Sequence, residues 1–173
     1  AGACGICAAK YLSQAGLDVT IFEIGSKIGG MWCYENDNGR SSAYRTLHIN
    51  TSRGVTRFHD LDFDPDVQFF PDHWDMHKYL IKYARYFDVE KLIRFNTKVA
   101  DIRPCFDPQT EPPLWELVVE DGSSERYDAV IVATGHLSMP LHVPMFQNDF
   151  KGEYLHAHYY REPKPYVGKR ICI

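Results

Sequence analysis

Apolar residues recur along this chain with two periods, and the switches between them divide it into elements. The opening run Ala1-Gly2-Ala3-Cys4-Gly5-Ile6-Cys7-Ala8-Ala9 leads through Tyr11 and Leu12 to Gly16, which predicts a helix over about 4–15 stopped by glycine. Leu17-Asp18-Val19-Thr20-Ile21-Phe22-Glu23 is β-branched and apolar, so a buried strand follows and ends on a carboxylate. Met76, Leu80, Tyr83, Ala84 and Phe87 recur at three- and four-residue spacing and put one apolar stripe on a helix that Asp72 can cap. Residues 92–95, 97–102 and Leu114–Val119 predict short strands of an antiparallel meander, the last turning at Asp121-Gly122. Residues 127–135 form a continuous apolar run stopped by Gly135, which predicts a strand buried on both faces of a parallel sheet. A Pro-rich crossing over 136–170 follows, and 169–173 begin another strand.

Between the first strand and the second helix, residues 24–71 carry many Gly, Asn, Asp, Ser and Arg and little periodicity. A loop of that length is usually functional, and here it is expected to wrap a ligand. With 173 residues, 45% of them hydrophobic, the chain can bury a core of its own as one domain. Its net charge of −4 is spread along the chain with no Lys/Arg block able to follow a phosphate backbone, which argues against nucleic acid as a partner. This stretch has no apolar run long enough for a membrane span and no signal-peptide layout. Five cysteines, an odd number, favour reduced thiols and a cytoplasmic setting.

A dinucleotide site needs glycines where a strand turns into a helix, because the backbone must approach the pyrophosphate and the helix N-terminus must face its charge. Gly2-x-x-Gly5 supplies the second and third glycines of such a motif, and Glu23 ends the next strand about 20 residues later, where a carboxylate can accept from ribose hydroxyls. Cys4 and Cys7 have redox spacing, but small residues are needed there for packing, and cysteine serves as one. The pairs His73/His77 and His156/His158 lack a carboxylate or cysteine in a ligand pattern, so no metal is expected.

At this point a family resemblance enters. Glu23-x5-Gly29-Gly30-x-Trp32 resembles the extended FAD fingerprint of flavin-containing monooxygenases. The likeness continues through Ser42-x-Tyr44-x-x-Leu47-x-x-Asn50, Phe70-Pro71, Asn96-x-Lys98-Val99 and Ala133-Thr134-Gly135-His136. Phe150-x-Gly152-x-x-x-His156-x-x-x-Tyr160 is similar to the identifying motif of class B flavoprotein monooxygenases, with Tyr where Baeyer-Villiger relatives usually carry Trp.

The resemblance implies an α/β fold, a Rossmann-like FAD-binding domain of three layers (ββα) with a small antiparallel meander. It implies that 1–160 are that domain, entered inside its first glycine motif, and that 161–173 are a linker and the first strand of an NADPH-binding domain lying outside the chain. As such an internal fragment, the chain is expected to be inactive alone. The intact enzyme is expected to use FAD and NADPH to oxygenate soft nitrogen or sulfur nucleophiles, amines or sulfides, with dioxygen through a flavin hydroperoxide, in the manner of N,N-dimethylaniline monooxygenases. Asn50 is implied as the catalytic residue beside the flavin, His156 as a linker residue, and Gly2, Gly5, Glu23, Gly29, Gly30, Trp32, Leu47, Asn50, Val99, Thr134 and Gly135 as cofactor-binding. A Baeyer-Villiger enzyme, another FAD-dependent reductase and a noncatalytic flavin-binding remnant stay open as alternatives. Membrane attachment through a part outside the chain and the oligomeric state also stay open.

Overall fold

A computed structural model describes residues 1–106, 113–143 and 150–173; positions 107–112, and 144–149 of the expected Pro-rich crossing, lie outside the described residues. Helix α1 (Ala3–Gln14) forms where small residues and good helix formers follow Gly2, and it buries Ile6 and Ala9. It ends where Gly16 takes φ +83°, with the Gly16 and Leu17 N–H groups donating back to Ser13 and Leu12.

Strand β1 (Ile21–Phe22) then pairs in parallel with β2 (Ile93–Arg94), in the register Ile21 to Ile93. The strand expected over 92–95 therefore belongs to the parallel sheet and not to the meander. The meander is β3 (Val99–Cys105), β4 (Leu114–Val119) and β5 (Ser124–Tyr127), in that order and antiparallel. Between the two sheets, the Phe22 and Tyr127 rings meet edge to face at 6.0 Å and Arg94 pairs with Glu125.

The core lies on helix α3 (His73–Tyr86), which buries Met76, Tyr79, Leu80, Tyr83 and Ala84 on one stripe. Its start is fixed by a reciprocal cap: the Asp75 N–H donates to the Asp72 carboxylate at 2.9 Å, and the Asp72 N–H donates to that of Asp75. Phe63 stacks on Tyr79 at 4.1 Å and Phe58 meets Tyr83 at 4.5 Å, so the loop beyond the short helix α2 (Arg53–Thr56) is packed by aromatic anchors. The Tyr79 hydroxyl donates to the Leu61 carbonyl and accepts the Phe58 N–H, and burial pushes its pKa up to about 12. Lys10 of α1 pairs with Asp60 at 2.5 Å, and the Tyr83 hydroxyl donates to the same carboxylate at 3.3 Å, so α1, α3 and the loop meet at one buried charge pair.

Two expected strands are absent. Residues 127–135 join no ladder beyond Tyr127, and Ile131 and Val132 are 59% and 70% exposed. A strand reads as buried on both faces only when strands flank it, and among the described residues none lies beside 128–134. Residues 169–173 likewise pair with no described strand. No helix among the described residues is long and apolar enough to cross a membrane.

Replacing Leu80 with Ala should destabilise the chain by about 2–5 kcal/mol through the cavity it leaves, while Asp72→Ala should cost only about 1 kcal/mol through the lost cap. Urea unfolding of both variants checks the ranking.

Candidate functional site

The glycines come together at the start of α1. Gly2 caps that helix with an extended backbone and no side chain bonds its first turn, so its outer N–H groups remain available to an anion. Gly29 and Gly30 sit at φ +126° and +54°, conformations that favour glycine. A Cβ on Gly30 would come 2.9 Å from Gly2 Cα, and one on Gly29 would come 2.6 Å from His77 Cδ2. With the Gly29 N–H donating to the Ala1 carbonyl at 2.9 Å, the second glycine turn closes directly onto the first. A Cβ on Gly5 would lie 3.8 Å from that of Ala133, which sets the 133–135 turn against α1; Thr134 and Gly135 are exposed there.

Glu23 follows β1 and is 6% exposed. Its carboxylate accepts the Gly25 N–H at 2.9 Å and the Asn38 amide at 3.3 Å. Burial pushes the Glu23 carboxyl up, while the hydrogen bonds from Gly25 and Asn38 pull it down. A carboxylate offers about four acceptor sites, so with these two protein donors in place about two remain for ribose hydroxyls. Val99 begins β3 close by, since the Thr97 N–H donates to the Glu23 carbonyl at 2.9 Å.

A nucleotide diphosphate fits this donor set. The uncapped α1 terminus and the bare glycine backbones suit its pyrophosphate, and the buried acid suits its ribose.

Asn50 occupies a second location. The Ile49 N–H donates to the Pro71 carbonyl at 2.9 Å and the Arg53 N–H to that of Phe69 at 2.8 Å, so residues 50–52 bulge between two backbone anchors. The Asn50 amide is exposed and has no hydrogen-bond partner among the described residues. It lines an open surface depression of about 680 Å³ with His48, Ile49, Gln68, Phe69 and Phe70. Leu47 is held at the base of this run, its carbonyl accepting the His73 N–H, and Trp32 packs on the core beneath the glycine turn.

Several working residues were not legible as such in the sequence. His77 donates through Nε2 to the Ile28 carbonyl at 2.8 Å and so braces the glycine turn. His73, wholly buried, donates through Nε2 to the Arg45 carbonyl, and burial lowers its pKa. The two histidines, one turn apart, therefore fasten two different loop segments. Asn36 donates to the Gly30 carbonyl at 3.0 Å, and Asn38 reaches Glu23 as above. The available signal was the asparagine-rich turn at 36–38, placed where a buried loop backbone needs side-chain partners.

The chain matches the family model described as flavin-binding monooxygenase-like over residues 1–173. It is 33% identical to the N-oxide-forming dimethylaniline monooxygenase 2 of Macaca mulatta over 182 aligned positions, covering 100% of this chain and 34% of that protein. It is 35% identical to flavin-containing monooxygenase 1 of Mus musculus, with the same coverage. The chain thus spans about a third of the length of these curated relatives. Among solved structures, it superposes on S-allyl-L-cysteine S-oxygenase from Allium sativum with a TM-score of 0.80 and 29% identity, over 96% of this chain and 42% of that one. The OTEMO complex with FAD and NADP aligns with a TM-score of 0.66 and 28% identity, over 88% and 26%.

Gly30→Ala should destabilise the chain by about 1–3 kcal/mol, since the new methyl meets both a positive φ and the Gly2 backbone. Gly39→Ala, at φ +68° with nothing within 4 Å, carries the backbone penalty alone and should cost less when the two are compared by chemical unfolding.

Proposed function

The chain belongs to the flavin-binding monooxygenase-like family, and on that premise we propose that the intact enzyme is an FAD- and NADPH-dependent monooxygenase of soft nitrogen or sulfur nucleophiles. The observation that carries the reading is the closure of Gly29-Gly30 onto Gly2 at an uncapped helix terminus, with the buried Glu23 carboxylate close behind. FAD, when bound, supplies the activation of dioxygen with electrons taken from NADPH. Gly2 and Gly5 hold the pyrophosphate against α1, and Glu23 accepts a ribose hydroxyl. Val99, Thr134 and Gly135 border the nucleotide through their backbone, while Trp32 and Leu47 border the flavin side.

Residues 1–160 form the FAD-binding domain, and 161–173 lead towards the NADPH-binding domain. Tyr160 supports nitrogen or sulfur oxygenation over Baeyer-Villiger chemistry, and five free thiols support a cytoplasmic setting.

The task of the chain at the reacting end is to donate a hydrogen bond and to keep water out. The exposed Asn50 amide can donate to the reacting oxygen, and Phe69 and Phe70 give the depression beside it an apolar wall. An amine or a sulfide, carrying a lone pair and little charge once neutral, suits such a wall.

The purified full-length enzyme should be yellow and should form an N-oxide or S-oxide with NADPH and dioxygen; a folded protein without flavin absorbance overturns the reading. Glu23→Ala should weaken FAD binding by about 1–3 kcal/mol in equilibrium dialysis. Asn50→Ala should keep FAD bound and NADPH oxidation largely intact while diverting turnover to hydrogen peroxide, which is measured as peroxide and product per NADPH consumed. Coupling equal to wild type would remove Asn50 from the oxygenation site.

A further inference from the structure

The run 41–47 is fastened to the segment after Phe150 by contacts that the glycine and carboxylate chemistry does not use. The Arg161 guanidinium donates to three carbonyls: His158 at 2.6 Å, Tyr160 at 3.0 Å and Ser41 at 2.9 Å. In return, the Arg161 carbonyl accepts the Arg45 N–H at 2.7 Å. The Tyr44 and Tyr160 rings lie 5.4 Å apart over the same junction. A planar fork serves several acceptors in fixed directions, which the point charge of a lysine does not.

From this junction the hydrogen bonds run on in two directions. Ser41, 4% exposed, donates through Oγ to the Met31 carbonyl at 2.7 Å, one residue from Trp32. On the other side the His73 ring takes the Arg45 carbonyl, the His73 N–H takes that of Leu47, and the Ile49 N–H takes that of Pro71 at the foot of the Asn50 bulge. One bonded stretch of backbone thus connects Arg161 with both Trp32 and Asn50.

We propose that Arg161 is a positioning residue of the oxygenation reaction, clasping the linker to the 41–47 run and so fixing Trp32 and Asn50 with respect to what binds on the glycine turns. The proposal rests on the monooxygenase reading above. The Phe150 to Tyr160 run that resembles the family signature ends one residue short of Arg161.

The test uses the full-length enzyme with FAD bound, as wild type, Arg161→Ala, Arg161→Lys and Lys164→Ala, the last an exposed neighbour outside the clasp. Flavin content, amide hydrogen exchange over 41–47, and peroxide per NADPH are measured together. In Arg161→Ala, flavin content should hold, exchange over 41–47 should be about tenfold faster, and peroxide per NADPH should rise about threefold or more. Arg161→Lys should keep the charge and recover neither readout fully, and Lys164→Ala should match wild type.

Wild-type exchange in Arg161→Ala overturns the clasp. Faster exchange with unchanged peroxide reduces Arg161 to a structural tie and overturns its positioning role. If Arg161→Ala does not fold, Arg161→Lys carries the same two readouts. A folded wild-type enzyme that yields no oxygenated product defeats the monooxygenase reading and with it the positioning role, whereas faster exchange in Arg161→Ala would still uphold the clasp.

Discussion

The arrangement depends on one close approach between backbones, that of Gly30 to Gly2. Everything at the glycine end follows from letting a long loop lie flat on the start of a helix with no side chain between them. Once the loop is down, its polar backbone is shut off from water and needs side-chain partners. His77 and Asn36 supply them on either side of Gly29, and Ser41 supplies the next. Asn36, Ser41 and His77 are the counterpart of that contact.

The same constraint explains how Glu23 behaves. A carboxylate at a strand end is solvated unless something covers it, and here the loop that descends with the glycines brings Gly25 and Asn38 over it. Burial and hydrogen bonding then act in opposite directions on its charge. The acid is orientated by those bonds in advance, so a ligand that takes it would spend less binding energy on ordering it.

Much of this was legible in the sequence because it is local. The stripe on α3, its Asp72 cap, the glycine stop of α1 and the span of β4 each depend on residues within a turn or two. What the sequence did not disclose is pairing at a distance. Residues 93–94 have the composition of any short strand, and only tertiary contact joins them to β1 and not to the meander. The apolar run at 127–135 signals a sheet interior whether or not its neighbours are present. The site divides in the same way: Gly2 and Glu23 announced themselves by spacing and Gly29 and Gly30 by the family resemblance, whereas His77, Asn38 and Arg161 act through acceptors 15 to 120 residues away, for which no spacing rule exists.

The bulge at 50–52 has a consequence for how such a protein can change. Its feet are backbone bonds, Ile49 to Pro71 and Arg53 to Phe69, and these are indifferent to the side chains carried between them. Substitutions at its tip therefore exchange the group presented to the depression without passing strain to the aromatic core on α3. A lineage can try new chemistry at this point while the scaffold stays under unchanged selection, and a laboratory library confined to three codons can do the same.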